Sequence, residues 1–210
     1  TGRVGLQMFP ADMLDQVVEH REFLDGTQTP AQEGDSLIHL AIAGMPGPHG
    51  FAQGRTMRFS PATFSLQYVN QAVSSGTGRT IVATRFRSLL GFTCEHVMTW
   101  HEDDESVEVY TRLTNMSSSP LSLEMITSFS LGYITPFAAD DAPERLVLHR
   151  FRSGWSLEGR LDSQLIEQLQ LERSWLGNAI YSERFGQVGT MPCRGFFPTA
   201  GVEDKDVGVV

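Results

Sequence analysis

The sequence contains little cysteine, no long apolar run and an excess of acidic over basic residues. Two cysteines among 210 residues, Cys94 and Cys193, are too few for a disulfide framework, so we expect buried thiols. No stretch approaches the roughly 18 consecutive apolar residues of a spanning helix, and no secretory signal is visible. The net charge of -9 argues against nucleic acid or an anionic membrane as main partner, because both reward clustered Lys and Arg.

Standard catalytic motifs are missing as well. There is no nucleophile elbow, phosphate-binding glycine loop or paired-cysteine motif. The six histidines are dispersed, and we expect His39 and His96 to be structural because both lie in strand-like segments. The acidic run at 102–105 is typical of a solvated hairpin tip rather than a Ca²⁺ site. No carboxyl pair has the context of a glycosidase dyad. The sequence therefore predicts no catalytic residue, no metal site and no cofactor here.

Alternation of apolar and polar residues is the dominant pattern from about residue 35 onward. It predicts an all-β chain with minor α content, built as a large antiparallel β-sandwich. The predicted strands cover residues 36–42, 64–69, 80–86, 94–100, 107–113 and 121–126. Helical spacing is rare: residues 12–24 are balanced between helix and strand, and residues 162–171 are predicted to form one short helix.

The chain is interpreted as one domain, residues 1–210, cut from a longer protein. Residues 202–210 are typical of a strand, a turn and the beginning of another apolar strand. The first residue is Thr rather than Met, so we expect the natural N-terminus to be missing. The Pro- and Gly-rich residues 44–50 are predicted to form an exposed loop.

Two aromatic and polar segments, residues 151–160 and 183–198, are the candidates for a functional surface. Sugars stack their apolar faces on aromatic rings and accept hydrogen bonds from polar side chains. Trp155, Glu158, Arg160 and Arg184 are therefore interpreted in two ways. They form either a sugar contact or, as the favoured alternative, a buried Trp with Arg–Glu pairs that dock the chain on a neighbouring domain.

Four ordered motifs carry a resemblance to a known family. They are residues 54–58 (Gly-Arg-Thr-Met-Arg), 149–160 (His-Arg-Phe-Arg-Ser-Gly-Trp-Ser-Leu-Glu-Gly-Arg), 169–175 and 182–198 (with Glu-Arg-Phe-Gly-Gln and Met-Pro-Cys-Arg-Gly-Phe-Phe-Pro). Over roughly residues 35–210 the chain resembles the N-terminal domain of family 36 glycoside hydrolases, the bacterial α-galactosidases. The resemblance implies a twisted, galactose-mutarotase-like supersandwich, followed by a catalytic (β/α)₈ barrel that carries an Asp nucleophile and an Asp acid/base outside this chain.

The same resemblance implies partners and a pocket rim. The parent would be a retaining hydrolase of α-galactosides of the melibiose or raffinose type, a homo-oligomer in the bacterial cytoplasm, with secretion left open. Its sandwich would support the barrel, the oligomer and the pocket rim. The family's loop before Gly-Arg-Thr-Met-Arg reaches a neighbouring subunit's active site. Here that loop lacks the family's acidic pair and Tyr, and Met45, His49, Phe51 and Arg55 are the candidate rim residues. The alternatives are an independent carbohydrate-binding module and the N-terminal domain of a galactosyl-transferring enzyme.

Overall fold

A computed structural model describes residues 4–18, 36–45, 60–132, 134–140, 142–172, 183–186 and 195–208. Of these residues 45% are in strands and 9% in helices, and the strands form antiparallel sheets. The predicted all-β sandwich with minor α content is confirmed at this level. Contacts divide the chain into two compact units, a division that the alternation pattern does not reveal. One unit comprises Thr1–Gln7 with Pro30–Tyr133, and the other Met8–Thr29 with Ile134–Val210.

The first unit is built on a four-stranded antiparallel sheet with the order β2-β3-β4-β5. Its strands are β2 (Leu66–Gly76), β3 (Arg79–Ser88), β4 (Phe92–His101) and β5 (Val107–Asn115). The strands predicted at 80–86, 94–100 and 107–113 are thus confirmed, and the acidic tip at 102–105 is a turn. The turn between β2 and β3 is tight. It consists of Thr77 and Gly78, both with positive φ, as two-residue hairpins require.

A smaller two-stranded sheet joins β1 (Leu40–Ile42) to β6 (Leu123–Ile126). The strand predicted at 36–42 is therefore wrong for its first four residues. Their main chain finds partners outside a ladder, because Leu37 N–H donates to the carbonyl of Val4 and His39 N–H to Thr127 Oγ1. The single turn of helix α1 (Pro61–Phe64) begins at a Ser60 cap, whose hydroxyl accepts from Ala62 N–H.

The core of the first unit lies between the large sheet and the β1 segment. Its buried members are Leu37, Ile38, Leu40, Ala62, Leu66, Phe86, Phe92 and Cys94. Phe86 and Cys94 are direct cross-strand neighbours, so one pleated face of β3 and β4 supplies the apolar layer. Cys94 is a buried free thiol as predicted, and burial raises its pKa to about 12. Cys193 lies outside the described residues.

The second unit contains a three-stranded antiparallel sheet with β7 (Leu146–Arg152) at its centre. β8 (Arg160–Leu165) and β9 (Phe196–Asp204) flank it. The helix predicted at 162–171 is wrong in its first turn. That segment continues β8, and only Ile166–Leu169 forms a 3-10 helix. A second 3-10 helix, Ala11–Gln16, covers part of the ambiguous 12–24 segment, of which residues 19–24 lie outside the described part.

Asp204 at the end of β9 is a buried carboxylate that ties the second unit together. It accepts a hydrogen bond from Arg145 Nη2 at 2.7 Å and another from the Thr135 hydroxyl. Burial by itself would raise the pKa of this carboxyl. The hydrogen bonds from Thr135 and Arg145 outweigh that effect and hold the pKa below its usual value. Asp204 therefore stays ionised and bonded at neutral pH. No helix in the described part of the chain is long and apolar enough to cross a membrane.

Buried His96 links the stability of the first unit to pH. It lies between Thr84 and Thr111 on the core face and is 1% exposed. Burial lowers its pKa below 6.5, and a hydrogen bond with the Ser128 main chain opposes that shift only in part. Below pH 6.5 His96 is therefore protonated in the unfolded chain, whereas in the folded chain it stays neutral to a lower pH. We expect the free energy of unfolding to fall between pH 7 and pH 5, by at most about 1.4 kcal/mol per pH unit.

Urea unfolding at several pH values measures this dependence, and an NMR titration of the ring protons of His96 shows its folded pKa directly. His96→Gln serves as the matched variant because it keeps a polar group but cannot titrate. An equal loss of stability in His96→Gln between pH 7 and pH 5 would contradict the assignment.

Candidate functional site

The loop between β7 and β8 presents the most exposed aromatic side chain among the described residues. Trp155 is 82% exposed at its tip. Turn hydrogen bonds hold the loop: Leu157 N–H donates to the carbonyl of Gly154 at 2.8 Å, and Gly159 N–H to that of Arg152 at 2.8 Å. Ser156 and Gly159 have positive φ, which lets the chain reverse within this short span. The tip is therefore a hydrogen-bonded turn that exposes the indole ring of Trp155 to solvent.

The base of this hairpin is anchored by a buried arginine. Arg150, in the middle of β7, is 4% exposed. Its Nη2 donates to Asp162 Oδ1 at 2.9 Å and to Gln164 Oε1 at 2.6 Å, and its Nη1 donates to Glu183. Asp162 is the cross-strand neighbour of Arg150 on β8, and Gln164 follows it on the same face. We call these residues, with Phe185 and Phe196, the Arg150 network.

Two phenylalanine rings complete the Arg150 network. The Arg150 guanidinium lies 4.5 Å from the ring centroid of Phe196 and 5.9 Å from that of Phe185. The two rings meet edge to face with their centroids 6.1 Å apart. Aromatic faces attract a cation that has lost part of its water, so the two rings add to the stabilisation of the buried charge.

Asp162 links the buried arginine to an exposed one. Its Oδ2 accepts from Arg152 Nη2 at 2.7 Å while its Oδ1 binds Arg150. These hydrogen bonds, from Arg152 first and Arg150 second, hold the pKa of Asp162 below its usual value. An ionised carboxylate that already accepts two arginines cannot donate a proton, so Asp162 does not serve as a general acid near neutral pH. The Arg150 network anchors the base of the hairpin.

The structure brings three of the four predicted contact residues onto one hairpin. Trp155 and Glu158 lie in the exposed tip, and Arg160 is the exposed first residue of β8, opposite Arg152. The fourth, exposed Arg184, stands between Glu183 and Phe185, which both contact Arg150. One part of the expectation is wrong: Trp155 is exposed rather than buried, because the hairpin extends it past the end of the paired strands.

Of the four predicted pocket-rim residues, only Met45 lies in the part of the chain that the structure describes. Met45 is half-buried and packs against the core of the first unit. His49, Phe51 and Arg55 lie outside the described residues. The rim assignment for these four residues stays a prediction.

Sequence reasoning missed the partners of Arg150. The helical spacing of Leu165, Ile166 and Leu169 predicts a helix that would include Asp162 and Gln164. The polar residues at 160, 162 and 164 alternate, and that period of two is the signal that indicates a strand face. On the other face, His149 bonds Ser163 Oγ at 2.8 Å and Glu203 Oε2 at 2.9 Å, which ties three strands together. No cluster of His, Cys, Asp and Glu within the described ranges is arranged to hold a metal ion.

The comparisons with known proteins do not identify this chain. No protein-family model, no curated protein and no solved structure matches it. The resemblance carried by the four sequence motifs therefore stays a prediction, and the site is argued from its own geometry.

Replacing the buried arginine tests whether Arg150 anchors the base of the hairpin. Arg150→Met removes the charge but keeps much of the side-chain volume, and it takes from the mostly covered carboxylate of Asp162 one of its two arginine partners. Breaking a buried pair on one side costs about 3–5 kcal/mol of unfolding free energy. The exposed Arg160→Met is the matched control on the neighbouring strand, with an expected change within about 0.5 kcal/mol. Urea unfolding measures both, and equal effects of the two variants would show that Arg150 is not the anchor.

Proposed function

We propose that this chain is the non-catalytic N-terminal β domain of an α-galactosidase-like retaining glycoside hydrolase. In this proposal the Trp155 hairpin contacts the catalytic barrel beside its substrate pocket, within a homo-oligomeric parent. One observation carries the proposal: Trp155 is 82% exposed at the tip of a hairpin that the Arg150 network anchors. The hairpin also coincides with residues 149–160, one of the four motifs that resemble the family.

The surface around Trp155 has the composition of a contact site. Leu157 and Leu161 are also exposed, at 41% and 54%, and Glu158 and Arg160 flank them. An apolar centre with a charged border is the usual anatomy of an interface. A Trp side chain buries roughly 200 Å², so covering it contributes up to about 5 kcal/mol before the losses of association are subtracted. The anchored base reduces those losses because the hairpin is ordered before the partner arrives.

A separate carbohydrate-binding module is the second candidate. The same exposure favours it, because a solvent-facing indole beside Glu158 and Arg160 offers a stacking surface with hydrogen-bonding groups at its edge. The N-terminal domain of a galactosyl-transferring enzyme is a variant of the first proposal. In that variant the Trp155 hairpin would contact the barrel in the same way, because the residues that decide between hydrolysis and transfer would lie in the barrel.

Activity measurements test the assignment of catalysis to another domain. We expect the purified chain to leave p-nitrophenyl α-galactoside intact. The barrel from the same gene, supplied as a separate polypeptide, should bind this chain and regain hydrolysis on binding. Trp155→Ala should weaken that association by about ten-fold or more, as loss of a buried aromatic anchor does. Leu89→Ala, an equally exposed apolar position at 81%, is the control. Turnover by the isolated chain would refute the proposal.

Sugar titration separates the two candidates. If the chain is a carbohydrate-binding module, galactose, melibiose or raffinose in the millimolar range should quench the fluorescence of Trp155. Trp155→Phe should keep part of the affinity and Trp155→Ala should lose it, because stacking needs an aromatic ring. Under the docking proposal none of the three sugars binds the isolated chain. Saturable binding that Trp155→Ala abolishes would favour the module instead.

A further inference from the structure

A cavity of about 300 Å³ lies on the large sheet of the first unit, on the face opposite its core. Two consecutive cross-strand rows supply its charged and hydroxyl side chains, and Val69, Phe86 and Cys94 complete the lining. The first row is Arg85, Glu95 and Arg112, and the second is Arg87, Thr93 and Thr114, taken from β3, β4 and β5 in that order. Direct cross-strand neighbours have Cβ atoms about 5 Å apart, so each row places its three side chains within reach of one small ligand.

Glu95 orients two of the arginines without saturating them. Its Oε1 accepts from Arg85 Nε at 2.7 Å, and its Oε2 accepts from Arg112 Nη1 at 3.1 Å. Glu95 is mostly covered, whereas both arginine side chains are more than half exposed. The Nη groups of Arg85 and the second Nη of Arg112 therefore stay available. The Arg112 guanidinium also lies 5.7 Å from the ring centroid of Tyr110, and this contact restricts the motion of the Arg112 side chain.

The second row adds hydrogen-bond donors that have no partner among the described residues. In the part of the chain that the structure describes, Arg87 makes no hydrogen bond or ion pair, and neither do the hydroxyls of Thr93 and Thr114. Three guanidinium groups thus face one carboxylate, which leaves an excess of two positive charges. The whole chain carries a net charge of -9, so the cavity is locally positive in a chain that is acidic overall.

We propose that this cavity binds the oxyanion of a small ligand, a phosphate or a carboxylate group. Guanidinium groups form paired, charge-assisted hydrogen bonds with both kinds of group, and hydroxyls complete such a shell. The volume is at the lower end of the range for small-molecule sites, which fits a monosaccharide-sized ligand or a smaller one. The proposal does not depend on the Trp155 hairpin, whose residues take no part in the cavity. The competing interpretation is a solvated polar sheet face that binds nothing specifically.

The test uses the ¹⁵N-labelled chain and inorganic phosphate in the millimolar range at low ionic strength. We expect saturable NMR shifts at the guanidinium Nε–H groups of Arg85, Arg87 and Arg112 and at the amides of Thr93 and Thr114. Arg87→Gln and Thr114→Glu should each weaken phosphate binding by about ten-fold or more, since a charged hydrogen bond is lost or a carboxylate is added. Arg79→Gln is the matched control, because Arg79 is exposed on the same face at the far end of β3.

Titrations with glucose 6-phosphate, glucuronate and glucose then identify the anionic group. Tighter binding of one of the two charged sugars names phosphate or carboxylate as the group recognised, and glucose should not bind. The absence of shifts with phosphate would overturn the proposal. So would an equal loss of binding in Arg79→Gln, which would indicate diffuse attraction to the sheet face, or equal binding of glucose. Far-UV circular dichroism and thermal unfolding verify that each variant is folded.

Discussion

The pleat of the antiparallel strands is the constraint on which the rest of the structure depends. Successive side chains of a strand point to opposite faces, so every buried residue fixes the direction of its neighbours. On β3 and β4, Phe86 and Cys94 point into the core, which obliges Arg85, Arg87 and Glu95 to share the opposite face. The donor-rich cavity is therefore a consequence of how the core is filled.

Buried charge is the second organising feature, and here it is compensated by several partners at once. Arg150 is balanced by carboxylates and two aromatic rings, and Asp204 by Arg145 and Thr135. A buried ion pair adds little net stability, because desolvation offsets the attraction, but removing one partner is expensive. Such networks hold a specific geometry. The Arg150 network holds the base of the hairpin that exposes Trp155, so a rigid foundation supports a solvent-facing aromatic residue.

The two candidate surfaces differ in chemistry and therefore in what they recognise. The Trp155 tip is apolar at its centre with single charges at its border, which suits a protein surface or the flat face of a sugar. The cavity on β3, β4 and β5 presents three guanidinium groups against one carboxylate, which suits an oxyanion. Each surface lies within one compact unit, so each is defined by its own sheet.

The sequence by itself determined the local features: strands β3, β4 and β5, the acidic turn between β4 and β5, and the buried Cys94. These features follow from alternation over a few residues. The tertiary structure decided which strands are neighbours, and with them the register that aligns Arg85, Glu95 and Arg112 and that places Asp162 opposite Arg150. It also ended strand pairing before Leu40, where Thr127 and Val4 supply other partners, and it left Trp155 in solvent. Pairing joins residues far apart in the chain, and a local pattern is equally compatible with several registers.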